Sequence, residues 1–240
     1  MTTRNLKPGT WLESLNCAIE GILWTARSQR HMRWHFIAAV SVLLLALLFR
    51  ITALEFTILA FAVTMVLFAE LINTSLEVIV DLVSPNFHPL AQRAKDVAAG
   101  AVLVASIGAV LIGYLALSHR ILPRLEATFG VLGQPPPGEL SVVSGLTVII
   151  LVVLLKARFG QGAPLHGGMP SGHSAVAFSI ATSVALSQVQ PLLSLLILAM
   201  AAMVSHSRLL LKIHTLREVI AGALLGSGVT LAIYLIFAYN

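Results

Sequence analysis

The sequence is short of nearly everything a water-soluble enzyme uses to face solvent. Only 10% of its 240 residues are charged and 58% are hydrophobic, against about 25% and about 45–50% in soluble domains. A soluble globular domain is excluded. Cysteine is reduced to Cys17, which excludes an intrachain disulfide. The few charges lean positive, to a net +5. So sparse an excess suits Lys and Arg in cytoplasmic loops better than a nucleic-acid surface, and no nucleic-acid partner is expected. The two halves share no internal repeat, which argues against a transporter or channel built from inverted repeats. No long apolar run precedes Trp34, so a cleaved signal peptide is not expected.

What is present is apolar helix. Long runs rich in Leu, Val and Ala predict spanning helices rather than barrel strands. The expected fold is an all-α integral membrane protein. Thr10 and Glu13 form a capping box. After it, Trp11, Leu12, Leu15, Ile19, Ile22, Leu23 and Ala26 share one helical face, opposite Glu13, Asn16, Glu20 and Arg27. That is an amphipathic helix lying on a membrane surface or packed across helix ends, and the basic cluster Arg27, Arg30, His31 and Arg33 suits headgroups. Three spans follow, near 34–51, from 56 onward and 97–117, the last opening on the small residues Ala98–Ala101. Pro135-Pro136-Pro137-Gly138 marks 119–138 as a stiff linker. Four shorter runs, 140–155, 174–186, 191–204 and 219–239, predict a second bundle, with Gly222, Gly226 and Gly228 marking close packing in its last helix. The domains are therefore 1–118, the linker 119–138, and 139–240.

Two groups of polar residues interrupt this apolar background. In the second span Glu70, Glu77 and Asp81 fall within about 20° of one line, with Asn73 about 60° aside. Ionisable groups in a membrane helix are costly and normally functional. Carboxylates on one stripe beside an amide suit a divalent cation carrying a nucleotide phosphate. His88, Arg93, Lys95 and Asp96 follow after Pro85. The second group is built on Gly167–His173, a tight loop in which Ser171 can cap the helix that follows and offer its first amides to a phosphate. Lys156 and Arg158 precede it. Ser207-Arg208 and His214-x3-Glu218 follow it. All lie where an apolar run meets a polar loop, so one membrane surface can hold them. Cations, a nucleophile and an acid are what a phosphate reaction needs. His119, His166 and His206 read as surface residues.

The first group, Glu70-Leu-Ile-Asn73-Thr-Ser-Leu-Glu77-Val-Ile-Val-Asp81 with His88 and Arg93-Ala-Lys95-Asp96, resembles the prokaryotic diacylglycerol kinase and undecaprenol kinase family over about residues 10–118. The resemblance implies an ATP- and Mg2+-dependent lipid kinase. Glu70 would be general base on the lipid hydroxyl, and Asn73, Glu77, His88, Lys95 and Asp96 would hold the nucleotide. Glu77 would be a metal ligand, and the family's other metal-ligand Glu aligns with Gln29. It also implies a homotrimer.

The second group resembles the type 2 phosphatidic acid phosphatase family, with motifs Lys-x6-Arg-Pro, Pro-Ser-Gly-His and Ser-Arg-x5-His-x3-Asp, over about residues 139–240. Two positions depart from the pattern: Ala163 stands for the Arg before Pro164, and Glu218 for the Asp. Arg158 is the candidate replacement guanidinium. The resemblance implies a cofactor-free lipid phosphatase. His214 would be nucleophile, Glu218 its orienting carboxylate and His173 the acid. Lys156, Arg158, Ser171, Gly172 and Arg208 would bind phosphate.

The expected function is thus a lipid phosphatase fused to a lipid kinase, acting on polyprenyl or glycerolipid substrates. The alternative is a phosphatase on a catalytically dead trimerisation scaffold, which Gln29 favours. With seven spans and the N-terminus inside, twelve Lys and Arg fall on inner segments and three, Arg50, Arg120 and Arg124, on outer ones. This positive-inside bias predicts a bacterial inner-membrane protein with its C-terminus outside and both active sites cytoplasmic.

Overall fold

A computed structural model describes residues 9–129, 137–159, 168–187 and 189–237, all helix and turn. The helices are α1 Trp11–Ser28, α2 Arg30–Leu48, α3 Ala53–Val83, α4 Pro89–Phe129, α5 Gly138–Phe159, α6 Gly172–Ala185, α7 Pro191–Leu210 and α8 Leu216–Phe237. The chain divides into two compact units, Met1–Leu117 and Ser118–Asn240. Among the described residues six helices are long and apolar enough to cross a membrane. The protein is a multi-pass, all-α integral membrane protein.

In the first unit the Thr10–Glu13 capping box forms, and it starts α1. Trp11, Leu12, Leu15, Ile19, Ile22 and Leu23 all stay exposed, so no helix of the unit covers the apolar face. Gln29 ends α1 and begins α2. Across that junction the Arg33 guanidinium donates to the carbonyls of Ala26 and Arg27, which satisfies acceptors at the end of α1. A second capping box, Thr52 with Glu55, starts α3.

Helix α3 buries Leu59, Ala62, Val66, Glu70 and Asn73. These lie three or four apart, on one stripe, while Ile58, Phe61, Met65, Phe68 and Ile72 stay exposed to the bilayer. The carboxylate of Glu70 therefore sits on the protein-facing side, as a membrane-embedded charge must. In the small-residue turn Ala98–Ala101, Ala98 is buried within this chain, whereas Ala99 and Ala101 are exposed and a Cβ on Gly100 would meet open space. Helix α3 also reaches α4 at Gly113, facing Leu59. The stretch expected as linker from residue 119 is helical to Phe129, because α4 runs on through Pro123.

The second unit is built on α6 and α8. A Cβ on Gly222 would overlap the carbonyl oxygen of Ser171, and one on Gly226 that of Ala175. The Ser179 and Thr230 hydroxyls are 2.8 Å apart. Each pair is one turn further along both helices, so α6 and α8 run parallel with their backbones nearly touching. Small residues and hydroxyl pairs are how membrane helices bind without a hydrophobic drive. Gly228 has no neighbour within contact, so that part of the packing expectation was wrong. Helix α5 runs opposite to α8. Its Ser141 hydroxyl lies 3.1 Å from Tyr234 near the end of α8, while Val152, near its own end, faces Gly172 at the start of α6. Val148, Val152 and Ala175 form the core, with Val176, Leu225 and Val229 packed on it.

Seven spans were expected, and α6 is the one that falls short. Its fourteen residues rise about 21 Å, against about 30 Å of hydrocarbon. Ser174, Ser179 and Ser183 on it are buried. It packs against α5, α7 and α8 and keeps Ile180 exposed.

The glycine contacts predict an ordered mutational series. Gly226→Ala and Gly222→Ala should each lower stability by about 1–3 kcal/mol or more through overpacking against backbone, whereas Gly228→Ala should be neutral. Thermal unfolding in mild detergent checks this.

Candidate functional site

Four helix ends meet in the second unit. The turn between α7 and α8 sets the geometry. Leu211 ends α7, Lys212 adopts a left-handed φ of 54°, and the amides of Ile213 and His214 both donate to the Arg208 carbonyl. The chain folds back so that His214 lies beside the last turn of α7. Thr215 then opens α8. Its amide donates to Glu218 Oε2 at 2.9 Å, and the Glu218 amide donates to its hydroxyl at 3.4 Å.

The same Glu218 oxygen lies 2.9 Å from His214 Nδ1. Three residues of helix bring a glutamate back over its own N-terminus, so the extra methylene relative to aspartate does not break the pair. The His214 side chain is 1% exposed. A ring that gives its Nδ1 hydrogen to a carboxylate keeps the lone pair on Nε2, which is the form a nucleophile needs.

His173 stands in the first turn of α6, exposed, across from this pair. Desolvation, and then the charges of Arg208, His214 and Lys156, hold its ring below the ordinary 6.5. Those three groups and His173 therefore share one electrostatic site, although they come from three helices and the turn between α7 and α8. Arg158, on the exposed last turn of α5, is not among the cations acting on His173. Ala163, Pro164 and His166 lie outside the described residues.

The start of α6 differs from expectation in one respect. Ser171 is the N-cap residue, but its side chain makes no capping bond. Its hydroxyl instead accepts from Ser174, and its amide donates to the Glu218 carbonyl at 2.9 Å. The Ser171 amide is thus committed to joining α6 to α8 and is not available to a phosphate. The close approach at Gly222 leaves no other place for it. The amide of Gly172, one residue further, stays a candidate.

The α3 residues form a separate cluster in the first unit. Glu70 is 4% exposed, and its neighbour Asn73 is buried. Asn73 Nδ2 donates to Glu77 Oε1 at 3.1 Å. Its Oδ1 is buried without a partner among the described residues, so it awaits a donor or a cation. Asp81 is exposed and pairs with Lys95 of α4. His88 Nδ1 accepts from the Leu90 amide at the start of α4, and Asp96 accepts from Gln92 at 2.8 Å. Asp81, His88 and Lys95 line one shallow pocket between the ends of α3 and α4. No three His, Cys, Asp or Glu side chains gather as a metal cage among the described residues. A magnesium that rides on nucleotide phosphates needs only one or two protein carboxylates. Glu77 with the orphan Asn73 oxygen fits that demand. Of the surface histidines, His119 stands 4.0 Å from Glu139, a partner sequence reasoning missed, and His206 is exposed on α7.

Comparison with known proteins bears on the first unit. The model of the family described as prokaryotic diacylglycerol kinase matches residues 16–117. The undecaprenol kinase of Bacillus subtilis is 39% identical over 105 residues, which covers 44% of this chain and 82% of that protein. A diacylglycerol kinase of Synechocystis is 42% identical over 103 residues, covering 42% of this chain and 59% of that protein. The diacylglycerol kinase of Escherichia coli K12 is 32% identical over 75 residues, 31% of this chain and 62% of that protein. The chain thus spans less than two thirds of the length of the last two. None of these matches reaches the second unit's histidine site.

The position of His173 predicts a pH signature. Its folded value lies below 6.5, so in the free protein it loses its proton as pH rises through that lower value. Any reaction needing His173 as acid should show kcat/KM falling on the alkaline side from below 6.5. Removing one repelling charge, in Arg208→Gln, should move that limb to higher pH, whatever it does to the height of the profile.

Proposed function

The chain belongs to the prokaryotic diacylglycerol kinase family, and on that premise we propose a membrane enzyme that moves a phosphoryl group onto a lipid alcohol in its first unit and removes one from a lipid phosphate in its second. The observation that carries the second activity is the His214–Glu218 pair, with His173, Lys156 and Arg208 gathered around it.

In the phosphatase reaction the Nε2 lone pair of His214 attacks phosphorus as the bond to the lipid oxygen breaks. Glu218 orients the ring and balances the charge it gains. His173 gives its proton to the departing lipid oxygen. Lys156, Arg208 and the Gly172 amide offset charge on the equatorial oxygens. Water then hydrolyses the phosphohistidine and frees phosphate. All the groups come from the protein, so chelators should not affect this half.

In the kinase reaction Glu70 takes the proton of the lipid hydroxyl. Burial among apolar neighbours suits a base that must work away from water. Glu77 and Asn73 would hold the nucleotide-bound magnesium, whose charge would offset that of the phosphates, and Lys95, His88 and Asp96 would help hold the nucleotide. Gln29, at the α1–α2 junction, offers a neutral oxygen where relatives of this fold are expected to supply a carboxylate. That is the one observation favouring a kinase-like unit that serves only as a scaffold. A homotrimer fits the exposed faces of Ala99 and Ala101.

The two activities separate by mutation. His214→Ala should abolish phosphate release from lipid phosphate and leave ATP-dependent lipid phosphorylation intact. Glu70→Gln should do the reverse. Radiolabel transfer with purified protein checks both, and wild-type phosphate release from His214→Ala would rule out the phosphohistidine. A wild-type protein that never consumes ATP with a lipid alcohol would leave the scaffold reading.

The charge asymmetry supports an inner-membrane location with both sites on the cytoplasmic side. The parallel run of α6 and α8 keeps that assignment consistent even though α6 is short, because the chain still returns to the opposite end of the unit before α7. In a Cys17→Ser background, intact cells should label Gln134→Cys from outside and not Gln161→Cys. The opposite pattern would turn the phosphatase outward.

A further inference from the structure

An open groove of about 520 Å³ lies along α6, α7 and α8 beside the histidine site. Its walls are apolar: Phe178 from α6, Ala202 and Met203 from α7, Val219 and Ala223 from α8. Two α7 residues on it are polar, Ser205 and His206. Ser205 is only 5% exposed, and its hydroxyl is buried with no partner among the described residues. A hydroxyl in a membrane helix ordinarily returns its proton to its own backbone, as Ser207 does to Val204 here. Leaving it unpaired in an apolar wall is unfavourable. The groove therefore takes a ligand that is hydrocarbon along most of its length and carries a hydrogen-bond acceptor at one level.

That level is set by the helix. Ser205 precedes Arg208 by three residues, on the same face and about 4.5 Å deeper along α7. A phosphate held by Arg208 and His173 would place the atoms just behind it next to Ser205. In a glycerolipid phosphate those atoms are ester carbonyls, which accept hydrogen bonds. In a polyprenyl phosphate they are bare isoprenoid carbons, which would leave the hydroxyl unpaired.

We propose that this groove is the lipid-chain subsite of the phosphatase and that Ser205 is its specificity residue, reading the ester linkage of a glycerolipid phosphate one helical turn below the phosphate. The inference rests on the phosphatase reading. His206, exposed at the groove rim, is placed to meet the second ester. The kinase unit would then form from diacylglycerol the lipid that the second unit consumes.

The test uses purified full-length protein in detergent micelles and a diacylglycerol phosphate with a photoreactive diazirine in one acyl chain. Adducts should map to α7 near Met203 and to Phe178. Unlabelled diacylglycerol phosphate should compete them away at a concentration about threefold to tenfold lower than polyprenyl phosphate needs. In turnover assays Ser205→Ala should raise KM for diacylglycerol phosphate about threefold to tenfold, the loss of one hydrogen bond, with kcat retained and polyprenyl phosphate hydrolysis unchanged. Adducts outside the groove, equal competition by both lipids, or a Ser205→Ala effect common to both substrates would overturn the subsite. Groove adducts without any phosphate release would uphold the subsite and sink the phosphatase chemistry. Phosphate release with adducts elsewhere would do the opposite.

Discussion

The contact on which the second unit depends is the backbone approach of α8 to α6 at Gly222 and Gly226. Where a side chain would ordinarily hold two helices 8–10 Å apart, these glycines let the carbonyls of Ser171 and Ala175 sit against α8. The Ser171 amide then reaches the Glu218 carbonyl. Through that bond the start of α6, which carries His173, is fixed to the start of α8, which carries Glu218. The geometry of the proposed site follows from two missing methyl groups one turn apart.

Glu218 is the second point of convergence. Its carboxylate caps α8 through Thr215 and orients His214 with the same oxygen. A group that closes a helix start cannot swing away without cost, so the imidazole is held by a bond that folding already requires. This explains how a glutamate can stand where the resembling motif has aspartate. The reach is measured from a helix turn whose position the cap fixes. The left-handed Lys212 turn completes the arrangement by returning His214 to the Arg208 carbonyl.

The first unit solves a different problem with the same economy. A carboxylate in a membrane helix is tolerated only where protein, not lipid, surrounds it. Glu70 and Asn73 meet that condition because they continue the buried stripe begun by Leu59, Ala62 and Val66. The charge is extended outward along α3 by degrees, from buried Glu70 through half-buried Glu77 to exposed Asp81, which pairs with Lys95. The gradient leads from a dry carboxylate to a wet, charged helix end.

Much of this was legible in the linear sequence, since local chemistry is written locally. Composition determined a helical membrane protein, the Thr10–Glu13 box determined where α1 begins, and the helical period in α3 determined that Glu70 and Glu77 would share a face. Motif spacing also put His214 one turn from its carboxylate. Only the tertiary structure decided what depends on distance between segments. It withdrew the Ser171 amide from the phosphate, because α8 lies too near for that donor to point elsewhere. It kept α6 to fourteen residues and carried α4 past residue 119 through Pro123. It also left Ser205 unpaired beside an apolar groove, which no reading of α7 alone reveals, because a hydroxyl's partner is chosen by what packs around it.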